Sequence, residues 1–328
     1  MKHSRLGRSL LARLGFCLLI FGGGAGAQTA AWPSKPIRLV VAFPPGGLAD
    51  VMARALQGPL GEALGQPVLV ENRGGAGGNL AGTEVVRNGG DGHTFLVTVS
   101  TTESVNPAMF TSMPFDPGKD LQHVAMLANS QLFLITRSTL PPNTLQEFVA
   151  YARANPGKLS YGSAGNGTTP HLGGELFKQA AGVFATHIPY RGAAAAIQDV
   201  MAGQIDFAFA PGTVFPLVKG GKLKLLAVAS RQRTPNYPSA PTFTEVGIDN
   251  VFVDTLFGVY APAAMPAAAV ARMNREINRL LALPAIKSRF SEIGADATPL
   301  SPTEFKAQVQ GETRLLTGIV RTRDIKPD

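Results

Sequence analysis

Phe43-Pro44-Pro45-Gly46-Gly47-Leu48-Ala49-Asp50 and Tyr161-Gly162-Ser163-Ala164-Gly165-Asn166-Gly167-Thr168-Thr169-Pro170-His171 are the stretches that decide how this chain folds. Each follows a short apolar run and opens into an apolar-periodic segment, so each reads as strand, tight turn and helix N-terminus. Glycine lets the backbone approach a ligand closely, and the unpaired N–H groups at a helix start attract anions. Two such turns, far apart in the chain and assigned to different lobes, predict a cleft that grips one small anion from both sides. That pairing points to a solute receptor more than to an enzyme.

Around the turns, the runs Ile37–Phe43, Phe95–Val99, Leu132–Ile135 and Leu225–Ala229 are apolar almost without interruption. Strands buried on both faces, as in parallel sheets covered by helices, have this composition. Leu48, Val51, Met52, Ala55 and Leu56 fall on one helical face, and Gly58-Pro59 is expected to break or kink that helix. Leu172, Leu176, Phe177 and Ala180 repeat the plan, with Pro170 in the first turn and Gly182 as the stop. A third helix is expected after Tyr190-Arg191-Gly192, where four alanines lead to Ile197 and Val200 on the inner side. Alternating strands and helices give an α/β class. The length of the mature chain suggests two lobes, each with its own core. The expected crossings between them are Gln131–Arg137 and Leu225–Ser230. Residues 28–130 and 231–328 would then form lobe 1, and 131–230 lobe 2.

The first 27 residues read as an export signal. Lys2, Arg5, Arg8 and Arg13 precede an apolar centre, and Ala25-Gly26-Ala27 offers a small-x-small cleavage site. The apolar centre is too short and glycine-laden for a membrane span, which needs about 20 residues. Cys17 follows bulky Phe16, which argues against a lipid anchor. Cleavage after Ala27 removes four basic residues and no acid, taking the formal net charge from +8 to +4. The remaining chain has no Lys/Arg block, and its few aromatics give no stacking surface for nucleic acid. The single cysteine of the sequence is Cys17, so the mature protein has no disulfide, thiol nucleophile or thiolate metal site.

Catalytic signatures are missing. Gly162-Ser163-Ala164-Gly165 lacks the residue that a nucleophile elbow places between glycine and serine. His93, His123, His171 and His187 show no i, i+4 metal pairing and no neighbouring acid cluster. The Gly74–Gly78 tract fails the dinucleotide pattern and lacks the P-loop lysine. No catalytic residue, metal or cofactor is therefore expected. A hydrolase using Ser163 with His171 is the enzymatic alternative.

Candidate ligand contacts gather on the turns. Gly46 and Gly47 are expected to present N–H groups, with Pro45 stiffening the entry and Phe43 at the cleft wall. Asp50 has two readings: stabilisation by the helix dipole, or a functional role in which it meets an ammonium or hydroxyl of the ligand or repels a second carboxylate. Ser163, Gly165, Gly167 and Thr168 surround the second turn, where hydroxyls either cap the helix or donate to the anion. His171 is structural or a wall residue. Arg191, between Tyr190 and Gly192, could make a two-pronged carboxylate contact. Asn79 is read as a helix cap or a water-mediated contact. Ser100 and Thr101 follow a buried strand, where open sheets often place cleft residues.

The ordered set of motifs resembles the Bug receptors, the extracytoplasmic solute-binding proteins of tripartite tricarboxylate transporters. It runs from Trp32-Pro33-Ser34-Lys35-Pro36-Ile37 through the two glycine turns, Val70-Glu71-Asn72-Arg73-Gly74-Gly75-Ala76-Gly77-Gly78-Asn79, Asp91-Gly92-His93-Thr94-Phe95 and Pro189-Tyr190-Arg191-Gly192. Pro241-Thr242 and Ala261-Pro262 follow in order. The resemblance implies a two-lobe type II periplasmic-binding-protein fold with mixed, mostly parallel sheets flanked by helices. It also implies a monomeric periplasmic receptor that captures a small carboxylate: an amino acid, an aromatic acid or a di- or tricarboxylate. Delivery would be to membrane transporter subunits or to a sensor's external domain. Arg191, Ala195 and Phe257 depart from the lysine, proline and tryptophan frequent in the family at those places, which leaves the ligand open.

Overall fold

The computed structural model describes residues 32–327. The expected export signal and Cys17 lie outside the described residues. No helix among those described is long and apolar enough to cross a membrane.

Eleven strands form two sheets. They are β1 (Ile37–Val41), β2 (Val68–Asn72), β3 (Thr94–Val99), β4 (Leu121–Ser130), β5 (Phe133–Arg137), β6 (Ser160–Ser163), β7 (Thr186–Pro189), β8 (Phe207–Ala210), β9 (Leu223–Val228), β10 (Thr255–Pro262) and β11 (Ala295–Ala297). The first sheet has the order β11-β4-β10-β3-β1-β2 and the second β7-β6-β8-β5-β9. Each sheet with its helices is one lobe. The apolar runs behave as their composition implies, because strand side chains alternate between faces. Leu39 and Val41 of β1 pack under helix Leu48–Leu64, whereas Val40 and Ala42 pack on the opposite side with Ala81 and Val85. In the second lobe Leu134, Phe207 and Phe209 face one core, and Phe133, Ile135 and Ala208 the other.

Both sheets are mixed. Pairings β1–β2, β1–β3, β6–β7 and β6–β8 are parallel, in the regions built from strand–helix units. The strands β4, β5, β9 and β10, which adjoin the crossings, pair antiparallel with their neighbours.

Three sequence expectations are corrected. Helix Leu48–Leu64 does not end at Gly58-Pro59 but runs through Pro59 to a left-handed Gly65. An internal proline costs about 3 kcal/mol, and burying Leu60 and Leu64 beyond it returns about 1.5–3 kcal/mol each. The second crossing is not Leu225–Ser230. Strand β9 stays in the second sheet, and Phe243, Ile248, Val251 and Val253 join the second core. The chain therefore returns to the first sheet only at β10, and residues 231–253 pack with the lobe the sequence reading did not assign to them. The last helix, Pro302–Thr322, belongs to neither lobe alone. Its Leu316, Ile319 and Val320 pack with Val105 and Met109 of the first lobe and Leu172 of the second.

Gly258, in the middle of β10, lies under the Phe305 ring, and a β-carbon there would stand 2.1 Å from Phe305 Cζ. Gly258→Ala is expected to lower the urea-unfolding free energy by roughly 1–3 kcal/mol, the usual range for an overpacked core. Gly311, in the exposed interior of the last helix with open space around it, should respond oppositely. Gly311→Ala should add about 0.5–1 kcal/mol.

Candidate functional site

A cavity of about 240 Å³ lies between the lobes, just below the usual range for ligand pockets, about 300–1,000 Å³. Three helices begin at its border. Helix Leu48–Leu64 follows β1 through N-cap Gly47; helix Thr169–Ala181 follows β6 through N-cap Thr168; helix Ala193–Ala202 follows β7 through N-cap Gly192. None of the three N-caps makes a side-chain hydrogen bond to its helix. First-turn N–H groups have no partner within a helix and point out of its N-terminal end. Leu48 and Ala49, Thr169, and Ala193 to Ala195, whose first-turn amides have no partner within the helix, border the cavity. Pro170 shares that border but has no N–H to offer.

The starts adjoin one another. Gly192 presses on Pro44 across the cleft: a β-carbon would stand 3.3 Å from Pro44 Cδ, and φ is +116°. Pro44 in turn accepts the Gly47 N–H at 3.3 Å. Thr168 Oγ1 donates to the Gly165 carbonyl at 2.7 Å, and Gly165 lies against the Tyr190 carbonyl. The rest of the wall is mostly apolar and includes Phe43, Val99, Leu132, Pro211 and Phe257. Thr169 and Thr255 hydroxyls pair with each other at 2.5 Å. Arg191 is the one charged residue among those bordering the cavity.

Of the sequence-derived candidates, Phe43, Pro45, Gly47, Thr168, Arg191 and Gly192 border the cavity. The others do not. The Gly46 N–H donates to Asp50 Oδ2 at 2.9 Å, inside the turn. Asp50 is 3% exposed, and its other oxygen accepts Arg54 Nε and Asn72 Nδ2, each at 2.9 Å. Burial alone would raise the Asp50 carboxyl, but these donors hold it below its ordinary value. Its carboxylate is engaged in shaping the turn. Asn79 is the first residue of its helix rather than the cap, which is Gly78, and its Oδ1 accepts from Asn106 at 2.7 Å. Ser100 donates to Glu312 at 3.2 Å, and Thr101 is buried nearby. The Tyr190 hydroxyl donates to Asp199 at 2.7 Å.

Ser163, Gly165, Gly167 and His171 form the frame behind the second turn. The Gly167 N–H donates to His171 Nδ1 at 3.1 Å. Ser163, 1% exposed, bonds His187 Nε2 at 2.7 Å and accepts the Gly165 N–H. The serine partner is thus His187, not His171, and neither Ser163 nor His187 borders the cavity. The two imidazoles stack 3.7 Å apart and 6° from parallel. Glu175 beside them accepts Tyr161 Oη at 2.7 Å and Lys178 Nζ at 2.6 Å. Burial, with Lys178 close by, pushes His171 down to about 4. Burial and the neighbouring His171 push His187 down to about 3. Among the described residues no group of three or more metal-ligating side chains is assembled.

Sequence reasoning named Tyr190, Arg191 and Gly192 but did not place Ala193 to Ala195 at the site, although the glycine before four alanines was their signal. It also left Val99, Leu132, Thr255 and Phe257 out of the site, because they lie far in sequence from the glycine turns.

The histidines fix a pH dependence. An unfolded histidine titrates near 6.5 and these two far lower, so the unfolded chain binds more protons as pH falls from about 6.5 to 4. Their contribution to stability is whole above 6.5 and declines through that window. Each group adds at most about 1.4 kcal/mol per pH unit to the slope. His187→Gln is expected to flatten the slope of unfolding free energy against pH between 6.5 and 4.5. An unchanged slope would contradict a neutral His187.

Residues 52–325 match the family model described as the tripartite tricarboxylate transporter family receptor. Protein BugT of Bordetella pertussis is 32% identical over 320 residues, covering 97% of this chain and 98% of that protein. Among solved structures, R. palustris Rpa4515 with adipate superposes with a TM-score of 0.87 at 30% identity, covering 90% of this chain and 100% of that one. MatC (Rpa3494) from Rhodopseudomonas palustris with bound malate gives 0.82 at 30% identity, covering 88% and 99%. With this match and these relatives along nearly its whole length, the chain belongs to the tripartite tricarboxylate transporter receptors, the Bug family.

Proposed function

We propose that this chain captures a small organic carboxylate in the cavity between its lobes, in the periplasm, and delivers it to the membrane subunits of a tripartite transporter. The observation that carries this reading is the meeting of three uncapped helix starts at one cavity. A carboxylate taken from water must regain its hydrogen bonds, since an unpaired buried charge costs several kcal/mol. Unpaired amides supply donors, and each helix start adds about 0.3–2 kcal/mol of dipole attraction. The adipate and malate in the two solved relatives favour the same ligand chemistry. The export signal in residues 1–27 would bring it to the periplasm.

Capture would depend on close approach of the lobes at Pro44 and Gly192. A thermal-shift screen of small organic acids should give at least one hit. At about a hundred times its dissociation constant, the ligand should add roughly 2.7 kcal/mol of stability. Gly192→Val places a side chain against Pro44 in a backbone conformation that only glycine adopts readily, so it should weaken that hit at least about tenfold, or about 1.4 kcal/mol. Gly311→Ala should leave it unchanged. Stabilisation by sugars or cations alone would overturn the reading.

A further inference from the structure

We propose that the cavity selects an acid with a single carboxylate and a compact apolar body, and discriminates against a second carboxylate or an ammonium group. This rests on the carboxylate reading above. Polar groups at the cavity are few and unevenly distributed. The unpaired amides belong to the three helix starts, which adjoin through the Pro44–Gly192, Pro44–Gly47 and Gly165–Tyr190 contacts. Arg191, the only charge, directly precedes Gly192 and so joins the same end.

The remaining lining is apolar and comes from both lobes. Leu132 sits between β4 and β5, Phe257 lies near the start of β10, Val99 ends β3 and Pro211 follows β8. None of these side chains offers a donor. Hydroxyls add little: Thr168 donates to the Gly165 carbonyl, and the Thr169–Thr255 pair leaves one free proton between them. A second carboxylate against this wall would lose its water without gaining partners, whereas a branched or ring carbon skeleton would gain apolar contact. An ammonium group fares no better. No acidic residue borders the cavity, and Asp50, the nearest acid in sequence to a helix start there, is buried with Gly46, Arg54 and Asn72 as its partners.

Calorimetric titration of the mature protein with two matched pairs tests this. In 6-methylheptanoate, the isopropyl end replaces the second carboxylate of adipate at equal size. In 4-methylpentanoate, the ammonium of leucine is absent and the rest is kept. The expected result is at least tenfold tighter binding of 6-methylheptanoate than of adipate, and of 4-methylpentanoate than of leucine. Equal or tighter binding of adipate or leucine would overturn the selectivity while leaving carboxylate capture in place. No binding by any of the four acids, nor by malate or benzoate, would sink the carboxylate reading itself.

Discussion

A negative group can leave water only if donors replace its hydration, and at this cavity three helix starts with unpaired first-turn amides stand at the border. In a parallel strand–helix unit the helix begins at the carboxyl edge of the strand, and this edge is where open sheets bind ligands. Strands β1, β6 and β7 each run into a helix that starts beside the cavity. β1 pairs in parallel within the first sheet, and β6 with β7 in the second. The two lobes bring those edges face to face. No cation needs to be buried for this, and Arg191 stands exposed at the rim.

The polar side chains near the turns serve the turns. Asp50 folds back on Gly46 and ties it to Arg54 and Asn72. His171 fixes Gly167, and Ser163 fixes Gly165 while leaning on His187. Directing an amide at a ligand requires that its loop not relax, and a rigid frame lowers the ordering cost of binding. A neutral imidazole suits this use at His171, whose Nδ1 needs its lone pair to accept the Gly167 N–H.

Local features were the legible ones. The strand–turn–helix units after Val41 and Ser163, and the helix after Gly192, could be read from apolar periodicity and glycine, because both are set within a dozen residues. The role of the polar neighbours could not. A carboxylate at Asp50 that reaches forward to a ligand and one that folds back on Gly46 have the same sequence. Long-range placement was also hidden. That Gly192 meets Pro44, or that Leu132 and Phe257 close one wall, follows from crossings whose second member lies near residue 254 rather than 230. The apolar residues Phe243 to Val253 gave no sign of which core would take them, since either would bury them equally well.

Connectivity gives the two lobes unequal routes to the folded state. Every strand of the second sheet lies between Phe133 and Val228, and its core closes by Val253, so this lobe can assemble from one unbroken stretch. The first sheet needs β10 inserted between β3 and β4, from well over a hundred residues downstream. Closing that long loop precedes the contacts that reward it, which slows folding. During synthesis or emergence from a membrane channel, the middle of the chain is thus the first part able to stand alone. The N-terminal third waits, with two edges of β-sheet unpaired, until β10 arrives at Thr255. Holding such a chain extended until its C-terminus is free would protect those edges from pairing with other chains.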